Sequence, residues 1–301
     1  MNSKIIKGIK DPYYGCELIL HQMARYISDE KYVSWKYYLN FHKKLNLIEP
    51  QTYNEKLQWL KLYDQHEEYT KMVDKYEAKK YVASKIGEEY IIPTLGIYDS
   101  FDEIDFDKLP DQFVMKCTHN SGGIFICKDK ATFDIDSTRK QMNKWLRKNP
   151  YWKNREYPYR NVKPRIIIEK YMVDESGVEL KDYKIMCFNG NPRCLFALTG
   201  RYKHDIRLNF YDLHWNLLPF ERGYPNTSNP GDIQQPKGFS EMIELSKILS
   251  HDIPHVRVDF YDICGKVYFG ELTFFPGSGL EVFKPNQWDR ILGSWLVLPN
   301  K

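Results

Sequence analysis

Nothing in this 301-residue chain approaches the roughly 20 consecutive apolar residues that span a bilayer, and Met1 to Lys10 is too polar for the core of a signal peptide. A cytoplasmic protein with no membrane span is expected. No long run of one charge occurs either: 44 basic and 40 acidic residues are interspersed to a formal net charge of +4, which argues against a nucleic-acid partner. The six cysteines, Cys16, Cys117, Cys127, Cys187, Cys194 and Cys264, include no C-x-x-C pair, and several lie in apolar strand-like runs, so reduced, buried thiols are expected. The eight histidines form no H-E-x-x-H, which leaves a zinc hydrolase without support. Ser121 and Ser278 lie in glycine-rich turns but not in G-x-S-x-G, and there is no G-x-x-x-x-G-K phosphate loop. Internal repeats and low-complexity tracts are lacking.

What is present is an ordinary globular composition, 42% hydrophobic and 28% charged, with a high aromatic share of 15% that includes 23 Tyr, suited to wet clefts and polar ligands. The length predicts two lobes. Helical spacing is seen for Leu20, Met23 and Ile27, and again for Val33, Tyr37, Tyr38, Phe41 and Leu45. Thr52 and Glu55 form a capping-box signature ahead of Leu57, Trp59 and Leu60. Asp74 and Glu77 repeat it, predicting a helix from Lys75 to Ile86 that stops at a left-handed Gly87. From Tyr90 the pattern changes to strands: Tyr90 to Gly96 broken by Pro93, then Gln112 to Cys117, Ile124 to Cys127, Arg165 to Met172, Glu179 to Phe188 and Arg193 to Leu198. Asn189-Gly190 is a tight-turn signal. Trp145 to Pro164 reads as a connection between lobes, Gly223 to Gly238 as a surface loop, and Ser240 to Ser250 as a helix.

The chemistry-bearing residues sit at strand ends and turns. Val256, Val258 and Phe260 alternate with Arg257 and Asp259, and after a turn at Asp262 to Gly265, Glu271 and Thr273 share a face, so Asp259 and Glu271 are expected to converge across a hairpin. Oxygen ligands of this kind suit magnesium, held by one or two carboxylates and nucleotide phosphates. Lys116 faces away from Phe113 and Met115 just before His119-Asn-Ser121-Gly122-Gly123, as an edge lysine or as a partner of phosphate. Lys75 near a helix N-terminus opposes the dipole, consistent with a bound phosphate or with a solvated side chain. Glu169-Lys170-Tyr171-Met172 closes a buried run, either as a purine-binding segment or as a strand reaching solvent. Lys184 is placed to neutralise a γ-phosphate or to pair across the sheet. His119 either makes a loop hydrogen bond or touches ligand.

In this order, Lys116, the His119 to Gly123 loop, Glu169-Lys170, Lys184, Arg257-x-Asp259, Glu271-x-Thr273 and Pro276-Gly277 resemble an ATP-grasp enzyme. Asp74-Lys75-Tyr-Glu, the run from Ile92 to Phe106, Phe113-Val-Met-Lys116 and Gly270 to Gly279 resemble its TupA-like branch, associated with teichuronopeptide and surface-polysaccharide synthesis, over about Thr52 to Pro299. The resemblance implies an α+β fold of two lobes that sandwich ATP behind an N-terminal helical extension. It divides the chain into a helical region at 1–70, the N-terminal part of the ATP-grasp unit at 71–165 and a C-terminal lobe with a metal site at 166–301.

By the same resemblance, Lys75 and Lys116 meet phosphates, His119, Ser121, Gly122 and Gly123 close over them, Glu169, Lys170 and Met172 form the adenine hinge, and Lys184 neutralises charge. Asp259, Glu271 and Thr273 hold Mg2+, with Thr273 standing where many ATP-grasp enzymes carry Asn. Arg257 and Arg201 stabilise the acyl phosphate or its tetrahedral successor, and Gly277, Ser278 and Gly279 offer amides to a substrate carboxylate. The implied function is an ATP-dependent carboxylate-amine ligase joining an amino acid or amine to a uronic acid or other carboxylate of a cell-surface polysaccharide. Two alternatives stand beside it: a glycosyltransferase, for which Asp105-Phe-Asp107 or Asp134-Ile-Asp136 would be the D-x-D motif, and a hydroxyl-directed kinase. The oligomeric state is left open.

Overall fold

The computed structural model describes residues 12–177, 180–200 and 206–300; Arg201 lies outside the described residues. The helices are α1 (Pro12–Gln22), α2 (Asp29–Phe41), α3 (Tyr53–Tyr63), α4 (Glu68–Val73), α5 (Glu77–Ile86), α6 (Ile135–Leu146), α7 (Tyr151–Asn154), α8 (Phe239–Leu249) and α9 (Gln287–Trp295). The strands run from β1 (Thr94–Tyr98), β2 (Phe113–Cys117), β3 (Ile124–Cys127) and β4 (Ile166–Lys170) to β5 (Asp182–Phe188), β6 (Asn191–Thr199), β7 (Arg207–Tyr211) and β8 (Glu221–Arg222). The last three are β9 (His255–Ile263), β10 (Lys266–Thr273) and β11 (Phe283–Lys284).

Two antiparallel sheets organise the molecule, in the orders β1-β4-β2-β3 and β10-β9-β5-β6-β7. In the first, Phe113, Met115, Ile166 and Ile168 face backwards and are sealed by Met142, Trp145 and Leu146 of α6. Strict alternation then sends Val114, Lys116, Ile167 and Glu169 to the front. In the second sheet, Val256, Val258, Phe260, Tyr183 and Ile185 pack into the main core with Met242, Leu245 and Leu249 of α8. Asp182, Lys184, Arg257, Asp259 and Tyr261 therefore share the opposite face, with Lys184 paired to Asp259 and Asp182 to Tyr261 in register.

A bulge sets the position of Glu271. Counting by twos from the buried Val267 and Phe269 would send Glu271 into the core, but the ladder passes from Phe269↔Phe260 directly to Glu271↔Asp259 and leaves Gly270 unpaired. One extra residue reverses the alternation and turns Glu271 and Thr273 onto the face of Asp259. A side chain at Gly270 would bring its Cβ to 3.0 Å from the Asp259 carbonyl oxygen.

The N-terminal helices are joined to the rest by specific polar contacts. The Thr52–Glu55 capping box is formed, with Thr52 Oγ1 accepting from the Glu55 amide at 3.2 Å and Glu55 Oε2 accepting from the Thr52 amide at 3.0 Å. The helix it opens, α3, is embedded in the C-terminal half: the Asn54 amide donates to Asp289 Oδ1 (2.9 Å), and Gln58 and Lys61 reach Ser278. Arg155, 1% exposed, pins the α7 segment to the helical layer through Asp29 (2.7 Å) and the ring of Tyr32 (4.2 Å).

The second helical signal is partly corrected. Helix α5 begins at Glu77, so Lys75 lies in the preceding turn. Asp74 caps that turn by accepting from the amides of Tyr76 (2.8 Å) and Glu77 (3.2 Å). Gly87 does end the helix and does so at a positive φ of 115°, which glycine tolerates, although its ψ of 154° lies outside the left-handed helical well. Asn189-Gly190 forms the β5–β6 hairpin with both φ positive, at 48° and 77°.

Candidate active site

The front faces of the two sheets bound a cavity of about 170 Å³. Ile92, Val114, Ile124, Ile126 and Met172 give it apolar walls, Lys116 and Glu169 stand on the first sheet, and Tyr261 and Asp182 on the second. Ile124 and Ile126, each 43% exposed, are apolar side chains left open on the cavity side of β3. Lys170 and Met172 line the same cavity, so the segment after β4 presents backbone and a thioether to whatever occupies it. Apolar walls with a few convergent polar groups describe a small-molecule site.

Beneath it lies a lysine cluster. Glu169, 4% exposed, is paired with Lys116 (2.5 Å) and with Lys79 of α5. Burial would raise its carboxyl, but the two ammonium groups outweigh burial and hold it at about 2. Its carboxylate thus acts as a clamp on two cations, while the segment that follows it faces the cavity. Lys79 joins the expected site residues here, and nothing local in the sequence ties it to Glu169, 90 positions away. Lys75 reaches over to donate to the Asn120 carbonyl at the glycine-rich turn, and burial pushes its pKa down, opposed by Glu271.

The second sheet supplies the acidic counterpart. Arg257 Nε and Nη2 donate to Asp259 Oδ1 and Oδ2 at 2.6 and 2.7 Å, and Nη2 also reaches Glu271 Oε1 at 2.7 Å and Thr273 Oγ1 at 3.0 Å. Lys184 pairs with Asp259 and stands 3.6 Å from Asp182. Burial raises the pKa of Asp259 against Arg257 and Lys184. Glu271 is different: burial is outweighed by Arg257, Lys184 and Lys75, which hold it at about 2. Its side chain is 41% exposed against 1% for Asp259, and with Arg257 and Thr273 it lines a second cavity beside the first.

Asp259, Glu271 and the Thr273 hydroxyl form an oxygen-only donor set with two carboxylates, and that composition fits Mg2+ shared with phosphate oxygens. No group of three or more His, Cys, Asp or Glu stands together among the described residues.

The remaining expected residues divide. Ser121 lines the cavities on both sides of the β2–β3 turn, and Gly122 and Gly123 line one of them. His119 does not face the nucleotide cleft: it is 1% exposed, and its Nε2 lies 3.2 Å from the Trp145 carbonyl and 3.0 Å from that of Lys148, an internal tie between the turn and the end of α6. Gly277 and Ser278 line one of the two cavities that Ser121 lines, with φ of 52° and 59°, whereas Gly279 is turned back onto α3, where a Cβ would meet Gln58 and Leu57. The two D-x-D sequences are spent on capping: Asp105 accepts from the Asp107 amide and Asp134 from that of Ser137. His251 and His255, four residues apart, form no metal site, since His255 is buried against Tyr53 and the Phe274 carbonyl.

A cleft between two antiparallel sheets, with lysines on one wall and paired carboxylates on the other, is the arrangement of an ATP-grasp protein. The family described as TupA-like ATPgrasp matches residues 55–297, and the chain belongs to that family. Among solved structures, the D-alanine–D-alanine ligase of Helicobacter pylori is similar at 16% identity over 82% of this chain and 70% of its own, with a TM-score of 0.41. The D-alanine–D-alanine ligase of Bacillus anthracis complexed with ATP is similar at 15% identity over 67% and 53%, with a TM-score of 0.38. The ATP-grasp ligase PsnB, complexed with a phosphomimetic variant of its minimal precursor, Mg and ADP, is similar at 7% identity over 72% and 56%, with a TM-score of 0.40. The chain thus spans little more than half the length of the last two. No curated protein matches it.

Proposed function

We propose that this chain is an ATP-dependent carboxylate-amine ligase, which activates a carboxylate as an acyl phosphate and forms an amide with an amine or amino acid. The carboxylate is that of a uronic acid or another acid of a cell-surface polysaccharide, in keeping with the association of TupA-like proteins with such polymers, and the protein works in the cytoplasm. No helix among the described residues is long and apolar enough to cross a membrane.

The observation that carries this reading is the convergence of Lys75 and Lys116 with Asp259, Glu271 and Arg257. Phosphoryl transfer depends on positioning and neutralising charge, with little covalent help from the protein. The apolar walls and the segment from Lys170 to Met172 hold the base; Lys116 and Lys75 take the phosphates, with Ser121, Gly122 and Gly123 above them. Lys184 adds charge beside Asp259. Asp259 and Glu271, with Thr273 beside them, would hold the magnesium, which neutralises phosphate charge when bound. Arg257, tethered by three partners on its own sheet, stabilises the oxyanion that develops on the activated carboxylate. The turn at Gly277 and Ser278 presents amides to the substrate acid. Arg201 remains a second candidate for the oxyanion role.

Hydroxylamine tests the reaction class. With ATP, Mg2+, a uronic acid glycan and hydroxylamine, the protein is expected to yield hydroxamate and ADP. Turnover of a UDP-sugar without ATP would contradict the ligase and favour a glycosyltransferase, and ADP without any hydroxamate would favour a hydroxyl-directed kinase.

A further inference from the structure

Behind Arg257 and Glu271 a separate cavity of about 480 Å³ is enclosed by the α7 segment, the turn at Gly277 and Ser278, and the N-terminal helices α1 and α2. Glu17, Lys36 and Asn40 contribute to its walls, and all three precede the stretch, 55–297, that matches the family. Six charged side chains line it, and four of them are already paired within the protein. Arg257 bonds Glu271 at 2.7 Å, and Lys36 stands 3.4 Å from Glu17. Lys36 is further spent on the Lys153 carbonyl and on Asn154 Oδ1, both at 2.8 Å, so it fixes the wall and has little left for a ligand.

Two opposite charges remain, Glu156 and Lys153, three residues apart around the α7 corner. Among the described residues neither has a salt-bridge partner. The Glu156 carboxylate accepts only from Asn154 Nδ2 at 3.2 Å, and the Lys153 side chain is exposed at the rim. Tyr159 lines the same cavity, and Glu156 is half-buried where Lys153 is exposed. The acid therefore stands inward and the base outward. A ligand that satisfies both must carry an ammonium at its inner end and a carboxylate at its outer end.

We propose that this cavity is the site of the second substrate and that it takes a free amino acid, with Glu156 receiving the α-ammonium and Lys153 the α-carboxylate, in a pocket whose far wall is supplied by the N-terminal helices. The inference rests on the ligase reading for its chemistry. Glu156 takes one proton from the ammonium, and the neutral nitrogen attacks the carbonyl carbon of the acyl phosphate. The C–N bond forms as the C–O bond to phosphate breaks, and the nitrogen's second proton leaves with the phosphate as hydrogen phosphate. Asn154, held by Lys36 and donating to Glu156, is a positioning residue.

Saturation-transfer NMR on the full chain tests this, with the twenty standard amino acids and D-alanine as probes, each compared with the amine that lacks its carboxylate. ATP binding is followed separately with a fluorescent ATP analogue. At least one amino acid is expected to give saturable binding that its decarboxylated amine does not. E156Q and K153M are each expected to weaken it by about tenfold with analogue binding unchanged. Absence of binding by every amino acid while the ATP analogue binds would overturn the proposal and leave the ligase reading standing. Equal binding of amine and amino acid, or E156Q and K153M variants that bind as the wild type does, would overturn it too. Amino acid binding without nucleotide binding would uphold the pocket and sink the ligase.

Discussion

Glu169 shows how one residue ties stability to ligand binding. A buried carboxyl carried from its ordinary 4.5 down to about 2 by Lys116 and Lys79 favours the folded state at neutral pH, offset in part by the burial that pushes Lys79 down. The folded value lies below the unfolded one, so that contribution is fully present above about pH 4.5 and is lost as pH falls through about 2. The E169Q variant should therefore melt below the wild type at pH 7, with the difference closing in acid; a difference of the same size at pH 7 and pH 2.5 would contradict the ion-pair account. Glu271 differs, being a partly exposed carboxylate with no core to support. Replacing it by Gln should abolish ADP release, as loss of a metal ligand requires, while circular dichroism stays near wild type and the melting temperature falls by less than in E169Q, since solvent screens the pairing of a side chain that is 41% exposed. An unfolded E271Q would make the residue structural. Alternation made most of these side chains legible: Lys116 opposite Met115, and Arg257 and Asp259 opposite Val258, follow from period two alone. The partners of Glu169 were not legible, because Lys79 arrives from a helix 90 positions earlier and no local pattern reports that contact.

Among the elements, the β9–β10 hairpin does most to define the site. Its two strands and their turn are visible in the sequence, and so is the shared face of Glu271 and Thr273. Which face that is depends on the bulge at Gly270, a register shift that composition does not encode. A branched side chain at this position would crowd the Asp259 carbonyl at 3.0 Å and favour regular pairing, which turns Glu271 inward. G270V is expected to lose nucleotide-dependent activity by at least about a hundredfold with a stability cost of roughly 1 to 3 kcal/mol, measured by ADP release and denaturant titration. A G270V variant with normal turnover would show that the bulge does not set the metal site. Helix α3 makes the complementary point. Its capping box announces it, but its position under Ser278 rests on Gln58 and on Lys61, a buried lysine whose pKa burial pushes to about 7. Such contacts, some 220 residues apart in sequence, lie beyond any local reading.

For the whole molecule, each sheet brings charges of both signs to its front face. The first carries Lys116 against Glu169 beside the glycine-rich turn, and the second carries Asp259 and Glu271 against Arg257 and Lys184. That arrangement follows from where each strand buries its apolar residues, so the assembly of two half-sites is a consequence of core packing. The α+β class and the hairpins β2–β3, β5–β6 and β9–β10 were legible because turn signals and alternation are local, whereas the order of strands across each sheet and the strands β7, β8 and β11 were not. The clamp of α1 and α2 on the α7 segment was not, since Tyr32, Lys36 and Arg155 act across more than a hundred residues.

The account turns on a divalent ion and ATP being held together between these sheets. Isothermal titration of ATP with and without Mg2+, on the wild type and on a D259N/E271Q double variant, tests it most directly. The account predicts tight binding by the wild type that weakens by at least about tenfold when Mg2+ is withheld, and a double variant that has lost the Mg2+ dependence. Affinity unchanged by Mg2+ in the wild type, or a Mg2+ effect that survives in D259N/E271Q, would contradict it.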